Sequence, residues 1–533
     1  MKILSSAAMK KADQRVIEDF GKPGTVLMET AGLRVVEFIL SRFRKEARVV
    51  VVAGPGNNGG DGLVAARLLA DAGFSVKLWS TVKPGAYRGD AGINEKMLAK
   101  IAFPIHRLSL EESFDRFRED LNCADLLVDA ILGIGTDRQV EGLLAAIIDL
   151  INAVNVPVVA VDIPSGVSAD SGAVMGRAVR ANWTVTLAAP KTGLMLHPGA
   201  GLAGDIIVAG IGIPASLSEE EPLDLITPEY VKQLLPLRPV DAHKGSLGRT
   251  LIVAGSTGMS GAAMLAAESA LVGGSGLVYL AAPLSACPAL EAKTVEVIVV
   301  ALPEKSPGLI DLSAVDIIIE KAKNCDVLAV GPGLDTGEAT SDLLYKLVQL
   351  SPVPVIFDAG ALEALGTKIN MLRSARHLPV ITPHPGEMAR LIGKSAGEVQ
   401  SSRLETALKN AALWNCIIML KGPNTIIASP DGRAAVNPTG NTSLATAGSG
   451  DLLTGLVSSF VAQGLVPENA AKAGAFMHGL AGDLLPPGRG HRARDILALY
   501  KEAFQYLEEC DRAVAGNPFL TRVRPISNVY HPA

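Results

Sequence analysis

The sequence predicts an α/β protein of two domains, each a mostly parallel sheet with helices on both faces. Three observations predict this architecture. The chain has 533 residues, more than a single hydrophobic core usually serves. From residue 48 onward, short runs of Val, Ile and Leu alternate with longer amphipathic segments, and unbroken apolar runs are typical of strands buried on both faces. An acidic, proline-punctuated stretch at residues 216–239 interrupts this alternation.

The domain limits follow from the same patterns. Residues 1–215 form the first predicted domain, with strands such as "RVVVVAG". Residues 216–235 are acidic and then broken by prolines, so they are predicted to be a linker with one short helix. The alternation restarts in a second domain at 236–510, whose strands end in loops rich in glycine and proline. Residues 511–533 lack a clear periodicity and are predicted to be a tail.

Composition and charge exclude several classes of protein. Hydrophobic residues make up 48% and charged residues 19% of the chain, which fits buried α/β layers and excludes a disordered chain. The net charge of −5 gives no reason to expect nucleic acid or an acidic membrane as a partner. Five dispersed cysteines without a CxxC pair favour a reducing cytoplasm. Neither a signal peptide nor an apolar run of roughly 18 residues is recognisable.

A glycine-rich turn separates the first buried strand from a helical pattern. Residues 54–62 contain five glycines, one proline and two asparagines. Such a turn brings backbone N–H groups close to an anion at the start of a helix. It matches neither the GxGxxG nor the GxxxxGK[ST] pattern. The alternative is a tight turn in which Asp61 caps the helix.

Three more loops at strand ends of the first half favour a ligand site, and they lie at residues 129–142, 161–170 and 188–201. Asp129, Asp162 and Ser165 occupy these strand ends, so their oxygens are expected to converge with Asn58. Hard oxygen ligands without thiol or imidazole suit potassium or magnesium and do not suit zinc.

The second half contains a pattern for phosphoryl transfer in "ATAGSGDLLTG". Residues 447–450 are expected to form a nest of N–H groups for a phosphate, and Asp451 then opens a helix within reach of a hydroxyl. The nest stabilises charge and the carboxylate accepts the proton. The alternative is that Asp451 only caps its helix. His384, between two prolines, is equally a structural loop residue or a substrate contact.

The four loops of the first half together resemble the Rossmann-like epimerase domain of the NAD(P)H-hydrate repair enzymes, over residues 1–215. The resemblance implies that R and S hydrates are interconverted, with Asp162 as acid or base, and that Asn58, Asp129 and Ser165 hold potassium. Lys191 is a weaker candidate, since a strand-end lysine is more often a solvated charge or a phosphate contact. The implied substrate-binding residues are Asn57, Asn58, Gly59, Gly60, Asp61, Gly133, Ile134, Gly135, Thr136, Asp137, Arg138, Gln139 and Asp162.

The helix start "GSGD" resembles the ribokinase-like superfamily, and the set "TPHPGE", "KGPNT" and "AGSGDLLTG" is similar to its NAD(P)H-hydrate dehydratases over residues 236–505. The resemblance implies that the S hydrate is phosphorylated, with Asp451 as base, and then loses phosphate, because hydroxide is a poor leaving group. Asp335 stands where the family usually has a glycine after "GPGL". The implied hydrate contacts are Ala263, Gly333, His384 and Asp451. The implied nucleotide contacts are Lys421, Gly422, Pro423, Asn424, Thr425 and Gly450.

The resulting hypothesis is a bifunctional cytoplasmic repair enzyme that acts on NADHX and NADPHX. The resemblance implies K⁺ in the epimerase domain, and Mg²⁺ with ADP as co-substrate in the dehydratase domain. ADP is expected over ATP because the fused order, epimerase first, is typical of the ADP-using branch. The chain is also expected to form a homo-oligomer. Two alternatives stay open at this point: a vitamin-type small-molecule kinase, and a catalytic second half fused to a non-catalytic binding module.

Overall fold

The structure, a computed structural model, describes residues 1–108, 113–509, 513–514 and 516–524. It divides the chain into two compact α/β units, which confirms the predicted fold class. We call residues 1–221 together with the described part of 513–524 the N-terminal unit, and residues 222–509 the C-terminal unit. Within these described ranges, no helix is both long and apolar enough to cross a bilayer.

The N-terminal unit begins with two helices and then alternates strands with helices. Its first seven strands are β1 (Arg48–Ala53), β2 (Ser75–Ser80), β3 (Ile105–Arg107), β4 (Leu126–Ala130), β5 (Val158–Val161), β6 (Trp183–Leu187) and β7 (Asp205–Ala209). Its helices are α1 (Ser6–Glu18), α2 (Gly24–Leu40), α3 (Asn57–Asp71), α4 (Gly89–Lys100), α5 (Phe114–Cys123), α6 (Gly142–Ala153), α7 (Thr192–Met195) and α8 (Gly199–Leu202).

These seven strands form a parallel sheet in the order β3-β2-β1-β4-β5-β6-β7. The order reverses direction between β1 and β4, and ligands of open α/β sheets bind at the carboxyl ends of the strands at such a switch point. The strands are buried on both faces, as predicted. Val49 and Val51 of β1 pack into one core cluster, and Val50 and Val52 pack into another on the opposite face.

The C-terminal unit repeats the alternation around a second sheet. Its strands are β8 (Leu223–Leu225), β9 (Arg249–Val253), β10 (Leu277–Pro283), β11 (Ile298–Leu302), β12 (Glu304–Ser306), β13 (Leu309–Ile310), β14 (Val327–Val330), β15 (Val355–Phe357), β16 (Val380–Ile381), β17 (Ile417–Leu420), β18 (Ile426–Ala428) and β19 (Ala434–Val436). Its helices are α9 (Pro228–Leu234), α10 (Ser260–Val272), α11 (Cys287–Glu291), α12 (Ala314–Ala322), α13 (Glu338–Leu350), α14 (Gly360–Leu365), α15 (Pro385–Ile392), α16 (Ala396–Ser401), α17 (Arg403–Trp414), α18 (Ser449–Ala462), α19 (Pro467–Asp483), α20 (Ala493–Ala498) and α21 (Tyr500–Glu509).

The second sheet has the order β11-β10-β9-β14-β15-β16-β17-β18-β19-β8. Its strands are parallel from β11 to β17, whereas β18 runs antiparallel to both of its neighbours. The order reverses between β9 and β14, which gives this unit a switch point of its own. Strands β12 and β13 form a separate antiparallel pair.

The predicted linker at residues 216–235 is wrong for most of its length. Residues 223–225 form β8 at the edge of the second sheet, and residues 228–234 form α9, which is the short helix expected there. Leu223 and Leu225 are buried on either side of the half-buried Asp224, the two-residue period of a strand. Three residues are too few for that period to stand out in an acidic, proline-rich stretch. The boundary lies after residue 221.

The predicted tail at residues 511–533 is also wrong where the structure describes it. Strands β20 (Ala513–Val514) and β21 (Asn517–Arg522) join the sheet of the N-terminal unit, and β21 runs antiparallel to β7. Leu520 is buried, and the Asn517 side chain donates a hydrogen bond to Glu37 at 2.7 Å. A single short strand that contains a proline shows little periodicity, so the sequence pattern does not reveal it. Residues 525–533 of the predicted tail lie outside the described residues.

Removing residues 510–533 is expected to destabilise the N-terminal unit selectively. The truncation leaves the outer amides of β7 unpaired and removes Leu520, and burial of such a side chain is worth about 1.5–3 kcal/mol. Hydrogen exchange measured by mass spectrometry should show faster exchange in β7, with β9 and β14 unchanged. A chain that ends at Arg524 keeps β21 and is the control. Equal protection of β7 in both truncated chains would contradict a stabilising role for β21.

Candidate active sites

The glycine-rich loop after β1 lies at the switch point of the first sheet. Gly56 has a φ of 90°, in the left-handed region that favours glycine, and a side chain there would meet open space. Gly54 and Gly59 are explained by internal packing instead. A Cβ on Gly54 would lie 1.9 Å from the carbonyl oxygen of Ile131, and one on Gly59 would lie 1.8 Å from that of Gly54. Gly54 lets the loops after β1 and β4 approach each other, and Gly59 lets α3, which starts at Asn57, pack closely against Gly54.

A cavity of about 390 Å³ opens over this loop. It is bounded mainly by α1, α2, the glycine-rich loop and the loops that follow β4, β5 and β6. Its charged and polar lining residues are Lys10, Asp13, Asn57, Asn58, Asp61, Asp90, Thr136, Asp162 and Lys191. The volume lies in the range of small-molecule sites, and the charged lining residues provide groups for proton transfer.

A buried ion pair lies in this cavity. Asp162 follows β5 with a φ of 66°, and Lys191 follows β6. The Lys191 ammonium group pairs with Asp162 Oδ1. It also donates to the Leu187 carbonyl oxygen at 2.7 Å and to Thr186 Oγ1 at 3.1 Å. Lys191 is 0% exposed, so of the two roles expected for a strand-end lysine, a solvated charge and a phosphate contact, the solvated charge is excluded. A charge buried in this way requires its partner, which ties Lys191 to Asp162.

Asn58 and Ser165 both form hydrogen bonds with Leu132, in the loop after β4, and Ser165 links this loop to Asp129. Asp129 accepts hydrogen bonds from the Ser165 N–H at 2.8 Å and from the Ser165 hydroxyl at 2.5 Å. Asn58 donates to the Leu132 carbonyl oxygen at 2.9 Å, while the Leu132 N–H donates to Ser165 Oγ at 2.8 Å. Burial raises the pKa of Asp129 to about 6, although hydrogen bonds from Ser165 and Ile131 oppose the rise.

The donors of this cluster are hard oxygen atoms, the kind that alkali and alkaline-earth cations prefer. Asn58 Oδ1 is buried and has no hydrogen-bond partner among the described residues. An unsatisfied buried oxygen is rare in folded proteins and calls for an explanation such as a bound ion. Asp129 supplies a carboxylate and Ser165 a hydroxyl oxygen, which are hard donors suited to a cation of this kind.

Two further carboxyl groups belong to the same cavity. Burial raises the pKa of Asp13, on α1, to about 6; Lys191 opposes the rise and Asp162 adds to it. Burial also raises the pKa of Asp61 well above its usual range, and the charges of Asp162 and Asp13 add to that rise. A carboxyl group such as Asp13, whose pKa is about 6, can both donate and accept protons near neutral pH, so this cavity contains a group for acid–base chemistry.

The start of α18 carries the second candidate site. Gly448 is its N-cap residue, with a φ of 88° and no side chain to cap the helix. Asp451 is the third residue of the helix and not its cap, so the capping alternative does not describe it. Burial raises the pKa of Asp451 to about 7, with Asp358 adding to the rise and Lys421 opposing it. A carboxylate of this kind accepts a proton at neutral pH, next to N–H groups that have no partner within the helix.

A second buried ion pair stands beside this helix start. Lys421 follows β17, and its Nζ lies 2.8 Å from Oδ1 of Asp358, which follows β15. Asp358 also accepts hydrogen bonds from the hydroxyls of Thr382 at 2.6 Å and Thr454 at 2.7 Å. Burial favours a higher pKa for Asp358, yet Lys421 and these hydroxyls hold it below its usual value. A Cβ on Gly450 would lie 3.3 Å from the Lys421 Nζ, so the ammonium group reaches the first turn of α18.

The loop at residues 421–425 is held by a buried arginine. Arg403 of α17 donates to the carbonyl oxygens of Leu420 at 3.1 Å and Lys421 at 3.3 Å, and it also donates to that of Pro423. Gly422 has a φ of 137°, and a Cβ there would lie 3.0 Å from the Arg403 guanidinium. Burial lowers the pKa of Arg403 to about 10. The arginine therefore fixes the loop that the sequence predicts to bind the nucleotide.

The other predicted hydrate contacts lie at the same edge of the second sheet. Ala263 of α10 is fully buried, so its side chain does not form a binding surface. Gly333 follows β14 with a φ of 68°, and a Cβ there would lie 2.6 Å from the Met259 carbonyl oxygen. His384 Nδ1 accepts from the Gly386 N–H at 3.0 Å and caps α15. The His384 side chain is half exposed, so it has a structural role and also reaches the surface.

Comparison with known proteins identifies the family. One family model, described as NAD(P)H-hydrate dehydratase, matches residues 250–502, and another, YjeF-related protein N-terminus, matches residues 24–193. The bifunctional NAD(P)H-hydrate repair enzyme of Moorella thermoacetica is 43% identical over 96% of this chain and 98% of its own. That of Thermofilum pendens is 40% identical over 96% of this chain and 97% of its own. This chain belongs to the family of bifunctional NAD(P)H-hydrate repair enzymes.

As a member of this family the chain is an isomerase and a lyase, with an epimerase domain in the N-terminal unit and a dehydratase domain in the C-terminal unit. Among solved structures, an ADP/ATP-dependent NAD(P)H-hydrate dehydratase from Bacillus subtilis, co-crystallised with ATP and Mg²⁺, is 29% identical to this chain. The match covers 54% of this chain and 99% of that chain, with a TM-score of 0.46.

The epimerase cavity brings together most, but not all, of its predicted residues. Those that line it are Asn57, Asn58, Asp61, Gly133, Ile134, Gly135, Thr136 and Asp162. Those that do not are Gly59, Gly60, Asp137, Arg138 and Gln139. The two glycines are explained by packing, since a Cβ on Gly60 would lie 2.6 Å from Met28. Residues 137–139 are exposed farther along the loop.

Sequence reasoning misses several residues of both sites. Asp358 has a usable signal, because it directly follows the apolar run of β15 at the edge where ligands bind. Asp13 and Lys10 have none, since they lie on a helix that precedes the first strand. The sequence gives no signal for Arg403 either, because an arginine at the start of a helix is usually predicted to be exposed.

Proposed function

We propose that the C-terminal unit dehydrates NAD(P)H hydrates at the expense of ADP, with Asp451 as the base. The carboxylate accepts the proton of the hydrate hydroxyl as that oxygen attacks the β-phosphorus of ADP, and AMP departs. The C–O bond then breaks, phosphate leaves, and the neighbouring ring carbon loses a proton to restore the double bond. The observation that carries this proposal is the position of Asp451 in the first turn of α18, beside the open N–H groups and the Lys421 ammonium group, where burial raises its pKa to about 7.

Lys421 and the first turn of α18 supply the positive field for the transferred group. The ammonium group lies against Gly450, where the phosphoryl group meets the open N–H groups of the helix start. Asp358 keeps the Lys421 ammonium group in this position. Mg²⁺ arrives as part of the metal–nucleotide substrate, bound mainly by its phosphate oxygens.

ADP is expected to support dehydration far better than ATP. If the loop at residues 421–425 places the adenosine so that a second phosphate reaches α18, a third phosphate overshoots the hydroxyl near Asp451. Incubation of NADH hydrate with ADP should restore NADH absorbance and yield AMP and phosphate. ATP freed of ADP, and a reaction without nucleotide, are the controls. Faster dehydration with ATP, with ADP as product, would overturn the nucleotide assignment and leave the repair function in place.

For the N-terminal unit we propose that Asp162 and Asp13 exchange protons with the hydrate during epimerisation. The reaction interconverts R and S forms at the ring carbon that bears the hydroxyl, so one group must protonate the departing hydroxyl and another must deprotonate the returning water. Both carboxyl groups line the cavity around Lys191, which holds Asp162 by an ion pair. The pKa of about 6 for Asp13 suits a proton donor near neutral pH.

Potassium in this unit would be held by Asn58, Asp129 and Ser165. The ion supplies a fixed positive charge, and these residues orient the loops after β1, β4 and β5 that carry the substrate contacts. The buried Asn58 Oδ1 without a described partner supports this assignment.

Asp129→Ala is expected to weaken epimerase activity or to raise its potassium requirement, because a charged ligand is lost. The wild-type N-terminal unit should also unfold at a higher temperature in potassium than in lithium, and the variant should lose that difference. Asp149→Ala removes an exposed carboxylate and is the matched control. Epimerase activity and unfolding that are indifferent to both the variant and the exchange of cations would contradict the site.

A further inference from the structure

Three side chains form a hydrogen-bonded row behind the start of α18. Ser449 Oγ lies 2.9 Å from His478 Nε2, and His478 Nδ1 lies 2.9 Å from the Tyr500 hydroxyl. The three residues come from α18, α19 and α21, and all are buried, with 7%, 6% and 1% of their surfaces exposed. The proposed chemistry uses none of them, yet Ser449 lies two residues before Asp451.

The tautomer of His478 sets which partner in the row donates and which accepts. Burial lowers the pKa of His478 to about 4, so the ring is neutral at neutral pH and has one N–H and one lone pair. One of its two partners must therefore donate to the ring and the other must accept from it. A change at the Tyr500 hydroxyl is transmitted through the ring to the Ser449 hydroxyl.

The Ser449 hydroxyl lies in the first turn of α18, where it can compete for the N–H groups of the helix start. Serine oxygens at helix N-termini ordinarily accept hydrogen bonds from N–H groups of the first turn. The N-cap residue Gly448 has no side chain, and Ser449, the first residue of the helix, carries a hydroxyl in that first turn. His478 engages this hydroxyl on the inner side of the helix. The N–H groups thus stay available for a phosphoryl group.

We propose that His478 and Tyr500 are positioning residues for the dehydratase: they hold the Ser449 hydroxyl away from the helix N-terminus, which keeps the phosphoryl-binding N–H groups free. This inference rests on the proposed role of the α18 start in phosphoryl transfer. It predicts an effect on turnover and little effect on nucleotide binding, because the loop at residues 421–425 is held separately by Arg403.

Tyr500→Phe tests the inference, since it removes the hydroxyl and keeps the ring. We expect kcat for dehydration to fall about three- to tenfold, the range for loss of one neutral hydrogen bond, with KM for ADP changed by about twofold or less. His478→Asn should behave alike. The epimerase activity of the same chain is an internal control for folding, and Tyr506→Phe is a matched control on the same helix.

A double-mutant cycle separates positioning from a merely structural role. Ser449→Ala removes the competing hydroxyl, so Tyr500→Phe should have no further effect on kcat in the Ser449→Ala background. A full additional loss in the Ser449→Ala background, or an unchanged kcat in Tyr500→Phe alone, would overturn the inference. Asp451→Asn in the same assay separates the two claims, since normal dehydration by that variant overturns the base assignment itself.

Discussion

Asp451→Asn is expected to lower ADP-dependent dehydration by about two to four orders of magnitude, the usual contribution of a general base. Asparagine keeps the size of the side chain but cannot accept the hydroxyl proton. Epimerisation by the same variant should persist, because it belongs to the other unit. The measurement is the initial rate of NADH recovery from the S hydrate at saturating ADP. Near-normal dehydration would rule out Asp451 as the base.

The pH dependence gives an independent check of the same residue. Since Asp451 acts as a base with a pKa of about 7, kcat/KM should rise with pH through about 7 and level off above it. The contribution of Asp451 to folding stability changes with pH in the opposite direction to kcat/KM. A carboxyl group whose pKa is raised by folding favours the folded state at low pH and loses that contribution as the pH rises through about 7. Asp451→Asn should therefore unfold at a slightly higher temperature than wild type at pH above about 7, which excludes misfolding as the cause of its inactivity.

Lys191→Met is expected to abolish epimerisation and to destabilise the N-terminal unit by about 3–5 kcal/mol, the cost of breaking a buried ion pair from one side. The variant leaves the carboxylate of Asp162 buried without its ammonium partner. Chemical denaturation of the variant, followed by epimerase activity and by hydrogen exchange in β5 and β6, measures both effects. Dehydration should be unchanged.

Two companion variants make the Lys191 experiment specific. Lys10→Met makes the same substitution at an exposed lysine that lines the same cavity, and it should leave stability within about 0.5 kcal/mol of wild type. Asp162→Asn combined with Lys191→Met removes both charges and should recover much of the lost stability, since asparagine tolerates the positive φ at position 162. A Lys191→Met chain as stable as Lys10→Met would show that the pair is not important to the fold.

The strand-end loops are the part of the sites that the sequence predicts well. Asn58, Asp129 and Asp162 follow or end apolar runs, and the carboxyl ends of parallel strands meet at one edge of a sheet, so their grouping follows from the pattern. The position of Asp451 in the first turn of α18 follows from its glycine-rich context in the same way.

What the sequence does not show depends on tertiary packing. The buried Lys191 side chain donates to Thr186 and Leu187 of β6, and its backbone bridges to Leu4, whereas no local sequence pattern distinguishes it from a solvated lysine. Asp13 lies on α1, which precedes the first strand, and therefore it is not at a strand end where a ligand contact would be predicted. Strands β7 and β21 are far apart in the sequence, and the hydrophobic periodicity within each strand does not show which distant strand it pairs with. The homo-oligomer and the cytoplasmic location stay predictions.

The central claim is that one chain epimerises hydrates in its N-terminal unit and dehydrates them in its C-terminal unit. Pure R hydrate of NADH, incubated with ADP and followed by chromatography that resolves R hydrate, S hydrate and NADH, tests it most directly. Wild type should convert R hydrate fully to NADH, Asp451→Asn should give a mixture of R and S without NADH, and Asp162→Asn should leave R hydrate unchanged beyond spontaneous epimerisation while still consuming added S hydrate. Rapid NADH formation from R hydrate by Asp162→Asn, or NADH formation by Asp451→Asn, would contradict the division of labour.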